Sequence, residues 1–171
     1  MIFVGAFSGK TVAVMGLGKS GLSAAEALEA GGATVWAWDD SVQNRKSAEA
    51  KGLELTNLYL EDWTGVEILV LSPGIPDLLP KPHRIAEKAH KRGCEIVCDV
   101  DLLARAKEKS QFIGITGSNG KSTTTSLIGH ILCESGREVA VGGNIGKPAL
   151  RLDSLGEAGI YVLELSSYQL E

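Results

Sequence analysis

The chain has 171 residues, 44% hydrophobic and 22% charged, a mixture that excludes a disordered tail and fits a globular protein of one domain, or one domain and part of a second. Its net charge is −4 and its longest basic cluster runs only from Lys88 to Arg92, which argues against nucleic acid as a partner. Met1 to Lys10 has no basic n-region and is too short for a signal peptide or a membrane span, so a cytoplasmic protein with no membrane partner is expected.

Thr11 to Gly16 reads as a short buried strand running into Gly16-Leu-Gly18-Lys-Ser-Gly21. A helix is predicted from about Ser20 to Ala30, stopped by Gly31-Gly32. Ala33 to Trp38 reads as a second strand ending at Asp39-Asp40, completing a β-α-β unit with parallel strands. Val66 to Leu71 is a third strand, followed by the sharp Ser72-Pro-Gly turn. A helix over Pro82–Arg92, a strand over Glu95–Cys98 and an amphipathic helix over Val100–Lys109 complete the first block. The pattern predicts an α/β, Rossmann-like, mostly parallel sheet with helices on both faces over residues 1–109.

A second block, residues 110–171, opens with a strand at Gln111–Ile115 and the loop Thr116-Gly-Ser-Asn-Gly-Lys-Ser122. A helix over Lys121–Ser135 carries Leu127, Ile128, Ile131 and Leu132 at helical spacing. Strands follow at Glu138–Val141 and Gly159–Leu165. Three strands and one long helix do not close a core, so this block reads as an incomplete P-loop-type α/β domain. The last strand is expected to expose an apolar edge, and the block to be less stable than residues 1–109.

A strand, a glycine-bearing loop and a helix form an anion site because loop amides converge and the helix N-terminus adds partial positive charge. In this arrangement Lys121 would reach the outer phosphates of a nucleotide and Ser122 would reach Mg²⁺. The strict G-x-x-x-x-G-K-[ST] pattern fails, since position 115 is Ile115; only Gly117-x-x-Gly120-Lys-Ser is present. Gly16, Gly18 and Gly21 satisfy G-x-G-x-x-G, and Asp39 follows at the distance of a ribose-binding acid. Taken alone, that loop makes an NAD(P)-dependent oxidoreductase the leading reading, with a nucleotide-binding module without chemistry as a further one.

Three further stretches narrow the choice: Gly143-Asn-Ile-Gly146, Leu163-Glu-Leu-Ser-Ser-Tyr-Gln-Leu-Glu171 and Ser72-Pro-Gly-Ile75. With the two glycine loops, in this order and spacing, the chain from about Lys10 to Glu171 resembles the Mur ligases, ATP-dependent amide-forming ligases of bacterial cell-wall synthesis. The wording of the second half resembles the D-glutamate-adding branch. The resemblance implies a three-domain, monomeric, ADP-forming enzyme. Its first domain holds the UDP part of UDP-N-acetylmuramoyl-L-alanine, its second binds ATP, and a third contributes to D-glutamate binding. It further implies an acyl-phosphate intermediate.

Carried over by position, the resemblance assigns Gly117, Ser118, Asn119, Gly120, Lys121, Ser122 and Thr123 to the ATP phosphates, and Ser122 and Glu164 to Mg²⁺. Lys121, Glu164 and Asn144 take catalytic roles. Lys19, Ser20, Asp39, Gly74, Asn144 and Gln169 take substrate-binding roles. Ser118 departs mildly from the family's usual Thr. The family's modified lysine, its magnesium-binding histidine and its third domain would lie beyond Glu171, so these residues alone are not expected to ligate.

His83, His90 and His130 share no metal spacing and read as surface or helix residues. Cys94, Cys98 and Cys133, an odd number without zinc spacing, read as reduced and mostly buried thiols. Trp36 and Trp38, two apart on a strand, face one side of the sheet and read as core packing.

Overall fold

The computed structural model describes residues 1–170. Two parallel sheets form along the chain. The first has strands β1 (Thr11–Met15), β2 (Thr34–Trp38), β3 (Ile68–Leu71) and β4 (Glu95–Val97), in the order β2-β1-β3-β4. All its pairings are parallel. The near-continuous apolar runs of β1 and β3 suit strands buried on both faces, and both are almost wholly buried.

The helices of this block are α1 (Lys19–Ala30), α2 (Val42–Glu49), α3 (Arg84–Arg92) and α4 (Asp99–Ala106). Helix α2 had no counterpart in the sequence reading. Its eight residues are mostly polar with one buried side chain, Ala48, so they carry little periodic apolar signal. Its start is still marked, because the Ser41 hydroxyl accepts the Asn44 amide as an N-cap. Helix α4 ends at Ala106 and not at Lys109.

The second sheet comprises β5 (Gln111–Ile115), β6 (Val139–Gly143) and β7 (Ile160–Glu164), with α5 (Lys121–Glu134) crossing between β5 and β6. The order is β5-β7-β6, all parallel. This corrects the expectation of an exposed edge at the last strand. The crossover drops β7 between its two predecessors, and all five of its residues are buried. The uncovered surface lies instead on α5, where Leu127 and Ile131 are more than half exposed.

The two blocks share one apolar core. Leu28, Leu102 and Leu103 of the first block cluster with Leu150, Leu152, Tyr161 and Leu163 of the second. A 3-10 turn at Ala149–Arg151 seats the fully buried Leu150 against α1 and α4. The Ile2 amide donates to the Leu150 carbonyl at 2.9 Å. Arg151 pairs with Glu26 of α1. Cys94 and Cys98 are buried as expected, but Cys133 is exposed on α5.

Candidate functional site

Open parallel sheets bind ligands beyond the carboxyl ends of their strands, and both sheets carry a cleft there. The first cleft, about 440 Å³, is lined by residues including Gly16, Gly18, Asp39, Asp40, Gly74 and His83. The close fit of α1 to β1 depends on Gly21: a Cβ there would lie 1.8 Å from the Gly16 carbonyl oxygen. Helix α1 can therefore start directly beneath the glycine loop.

Asp39 is buried, and its oxygens are already engaged. Oδ2 accepts the Leu17 amide at 2.6 Å and the Asn44 side-chain amide at 2.9 Å, while Oδ1 accepts the Ser41 amide at 2.7 Å. The carboxylate thus ties the glycine loop to the start of α2. The neighbouring Asp40 is the exposed acid on the cleft, and it meets His83 Nε2 at 3.0 Å and the Tyr59 hydroxyl at 2.9 Å. His83, read from sequence as a surface residue, sits on the cleft and caps α3 through Nδ1. Lys19 and Ser20 open α1 outside this lining, Lys19 exposed and Ser20 half-buried.

The second cleft, about 620 Å³, is lined by Thr116, Gly117, Ser118, Lys121, Asn144, Glu164 and the turn Leu165 to Tyr168. Helix α5 starts at Lys121 after Gly120, whose φ of 74° is left-handed. The first amides of such a helix have no intrahelical acceptor and face the loop. The Lys121 ammonium folds over this loop and donates to the Gly117 carbonyl at 2.7 Å. It therefore lies at the mouth of a hollow large enough for a polyphosphate, and an entering anion can replace the carbonyl.

Glu164 ends the central strand, level with Ile115 on one side and Gly143 on the other. It is buried, and a buried carboxylate needs donors or a cation. Ser122 Oγ donates to its Oε2 at 2.6 Å. A hydroxyl and a carboxylate in contact form an oxygen donor set suited to a hard divalent cation, so these residues fit the magnesium role expected of them. Asn144 is brought to the same end by its amide, which donates to the Glu164 carbonyl at 3.0 Å. Lys121, Asn144 and Glu164 thus line one cleft, with Ser122 bonded to Glu164 beside it.

Gln169 sits in a 3-10 turn, Ser167–Gln169, after β7. Its Oε1 accepts the Ser166 amide at 3.0 Å and its Nε2 donates to Asp99 Oδ1 at 2.8 Å. Glu171, the last residue of that motif, lies outside the described residues.

The fold and the two clefts define an α/β protein that joins a Rossmann-like domain to a phosphate-loop domain, and residues 115–171 match the Mur ligase middle domain. The chain as a whole resembles UDP-N-acetylmuramoylalanine–D-glutamate ligase. It is 50% identical over 177 residues to the protein of that name from Phenylobacterium zucineum, covering all of this chain and 38% of that protein. The namesake from Rhodospirillum rubrum is 51% identical over 170 residues, with 96% of this chain and 36% of the relative covered. The chain therefore spans well under half the length of these curated relatives. Among solved structures, a murein peptide ligase of Psychrobacter arcticus superposes with a TM-score of 0.54 at 20% identity, over 94% of this chain and 38% of that one. UDP-N-acetylmuramate–alanine ligase of Thermotoga maritima gives 0.53 at 18% identity, over 91% and 36%. These two likenesses establish the fold.

Proposed function

We propose that this chain supplies the UDP-substrate domain and the opening of the ATP-binding domain of a cytoplasmic, ADP-forming ligase. In this reading the enzyme joins D-glutamate to UDP-N-acetylmuramoyl-L-alanine in peptidoglycan precursor synthesis and acts as a monomer. The observation that carries it is the meeting of Lys121, Ser122, Asn144 and Glu164 at one end of the second sheet, beside a separate nucleotide-sized cleft.

The substrate carboxylate attacks the γ-phosphorus of ATP, and the bond to the leaving ADP oxygen breaks. The amine nitrogen of D-glutamate then attacks the acyl carbon of the resulting acyl phosphate, loses a proton, and phosphate departs with the bonding pair. The loop amides of residues 117–123 hold the phosphates, and Lys121 leaves the Gly117 carbonyl to meet charge on the transferring group. Ser122 and Glu164 would hold Mg²⁺, which when bound neutralises phosphate charge. Asn144 orients the reacting carboxylate. Gly74 and the first glycine loop hold the uridine end, with Lys19 and Ser20 at the start of α1, while Asp39 keeps that loop in shape.

An NAD(P)-dependent oxidoreductase would use the first cleft but gives Lys121 and Glu164 no task. Calorimetry with UDP-N-acetylmuramoyl-L-alanine, ATP and NAD tests the choice. Binding of the first two without the third is expected, and binding of NAD alone would overturn the reading. The 171 residues by themselves are expected to bind without ligating; D-glutamate-dependent phosphate release from them would contradict that.

A further inference from the structure

Three cavities along the carboxyl ends of the two sheets share residues in succession. The first cleft and a small cavity of about 60 Å³ have Ser72 and Ile75 in common, and that small cavity shares Tyr168 with the second cleft. The small cavity is a neck between the two, and Gln169 lines it.

We propose that Asp99 is a positioning residue that fixes Gln169 in this neck, and so decides how a ligand long enough to enter both clefts is gripped. The inference rests on the functional reading above, in which a nucleotide-linked substrate runs from one cleft to the other.

Asp99 is the first residue of α4 and is only 2% exposed. Its Oδ1 takes the Gln169 amide hydrogen at 2.8 Å across 70 residues of sequence. Its Oδ2 has no hydrogen-bond partner among the described residues. A buried carboxylate left half-satisfied is costly, and such groups call for an explanation beyond packing. At the start of α4 the helix's own first amides act on this carboxyl as well, but they do not account for its reach to Gln169, and Asp101 separately accepts the Cys98 amide at 2.8 Å.

What the carboxylate does achieve is orientation. The Ser166 amide fixes the oxygen end of Gln169 and Asp99 fixes the nitrogen end. One amide hydrogen of Gln169 remains for a ligand.

The test compares wild type, Asp99→Asn and Asp99→Leu by calorimetry with UDP and with UDP-N-acetylmuramoyl-L-alanine. All three should bind UDP alike, and wild type should bind the whole substrate about tenfold more tightly than UDP. Asp99→Leu should lose that preference, since a hydrogen bond to a charged group is worth about a factor of ten. Asp99→Asn should keep it, because its amide oxygen still accepts from Gln169. A folded Asp99→Leu protein that retains the preference overturns the proposal, as does an Asn variant no better than Leu. If Asp99→Leu does not fold, Asp99→Ala decides: it removes the acceptor without adding bulk and should lose the preference, and a folded Ala variant that keeps it overturns the role. Wild type that binds UDP and substrate equally sinks the Asp99 role alone, whereas wild type that binds neither sinks the functional reading with it.

Discussion

Ser122 Oγ and Glu164 Oε2 stand 2.6 Å apart, although 42 residues separate them in sequence. Ser122 belongs to the first turn of α5 and Glu164 to the end of β7, so the contact closes the phosphate loop onto the central strand of its sheet. The Asn144 amide reaches the same strand end from β6. A cluster built this way depends on strand order more than on any single loop.

The first prediction follows from that contact. Glu164→Gln keeps the shape and can still accept from Ser122, but it removes the negative charge proposed to face Mg²⁺. ATP affinity in the presence of Mg²⁺ should fall about tenfold, while affinity measured in chelator should hardly change. Titration of wild type and variant with ATP, with and without Mg²⁺, checks it. An equal loss in both conditions would point to damage to the loop instead of a lost cation ligand.

Gly143 makes the second prediction. Its φ is +95°, and a Cβ added to it would lie 2.5 Å from the Glu164 carbonyl oxygen. Both the backbone conformation and the space are closed to other residues, and the obstacle is main chain that cannot swing aside. Gly143→Ala should cost about 2 kcal/mol or more in urea unfolding. It should also weaken binding of the muramoyl substrate, because Asn144 takes its place from the adjoining amide. Gly65→Ala is the control for strain without a clash, since its φ is +84° with nothing within 4 Å; it should cost less.

Why the site was legible and parts of its surroundings were not follows from the kind of signal each leaves. Gly117, Gly120 and Lys121 sit between a strand and a helix, and local chemistry alone placed them. Glu164 was assigned through the resemblance, and its place at the end of an apolar strand agreed with that assignment. Helix α2 left no such trace, being a polar surface helix with one buried alanine. The central position of β7 was hidden for another reason. Parallel strand order is set by crossover packing, not by the composition of any one strand. Nothing in the local sequence marks Asp99, and only its long-range bond to Gln169 sets it apart.

The third prediction concerns Asp99 and pH. Burial pushes its carboxyl above the usual value of 3.8, against smaller opposing contributions from Gln169, Ser20 and the first amides of α4. A pKa raised on folding means a stabilising contribution that is complete below the unfolded value and is lost as pH rises through the folded one. At neutral pH the ionised Asp99 therefore costs stability. Asp99→Asn should raise the melting temperature at pH 7, by the equivalent of about 1 kcal/mol. That advantage should shrink as pH falls toward 4, with Cys98 and Asp101 as the neighbouring titratable groups. A variant that melts below wild type at pH 7 would show that the charge is a net asset.

The last prediction separates the shared core from the open face of α5. Leu150 is fully buried where the second block meets α1 and α4, whereas Ile131 is 56% exposed. Leu150→Ala removes packed methyl groups and leaves a cavity, so it should cost about 2–5 kcal/mol. Ile131→Ala has little buried surface to lose and should stay within about 0.5 kcal/mol of wild type. Because Leu150 belongs to a cluster that also holds Leu28 and Leu103 of the first block, its loss should lower the unfolding midpoint of both blocks together. Hydrogen exchange gives the readout: amides of β1 and β7 should lose protection in parallel in Leu150→Ala. If only β7 loosens while β1 keeps its protection, the two blocks are independent folding units, and Leu150 matters only to the second.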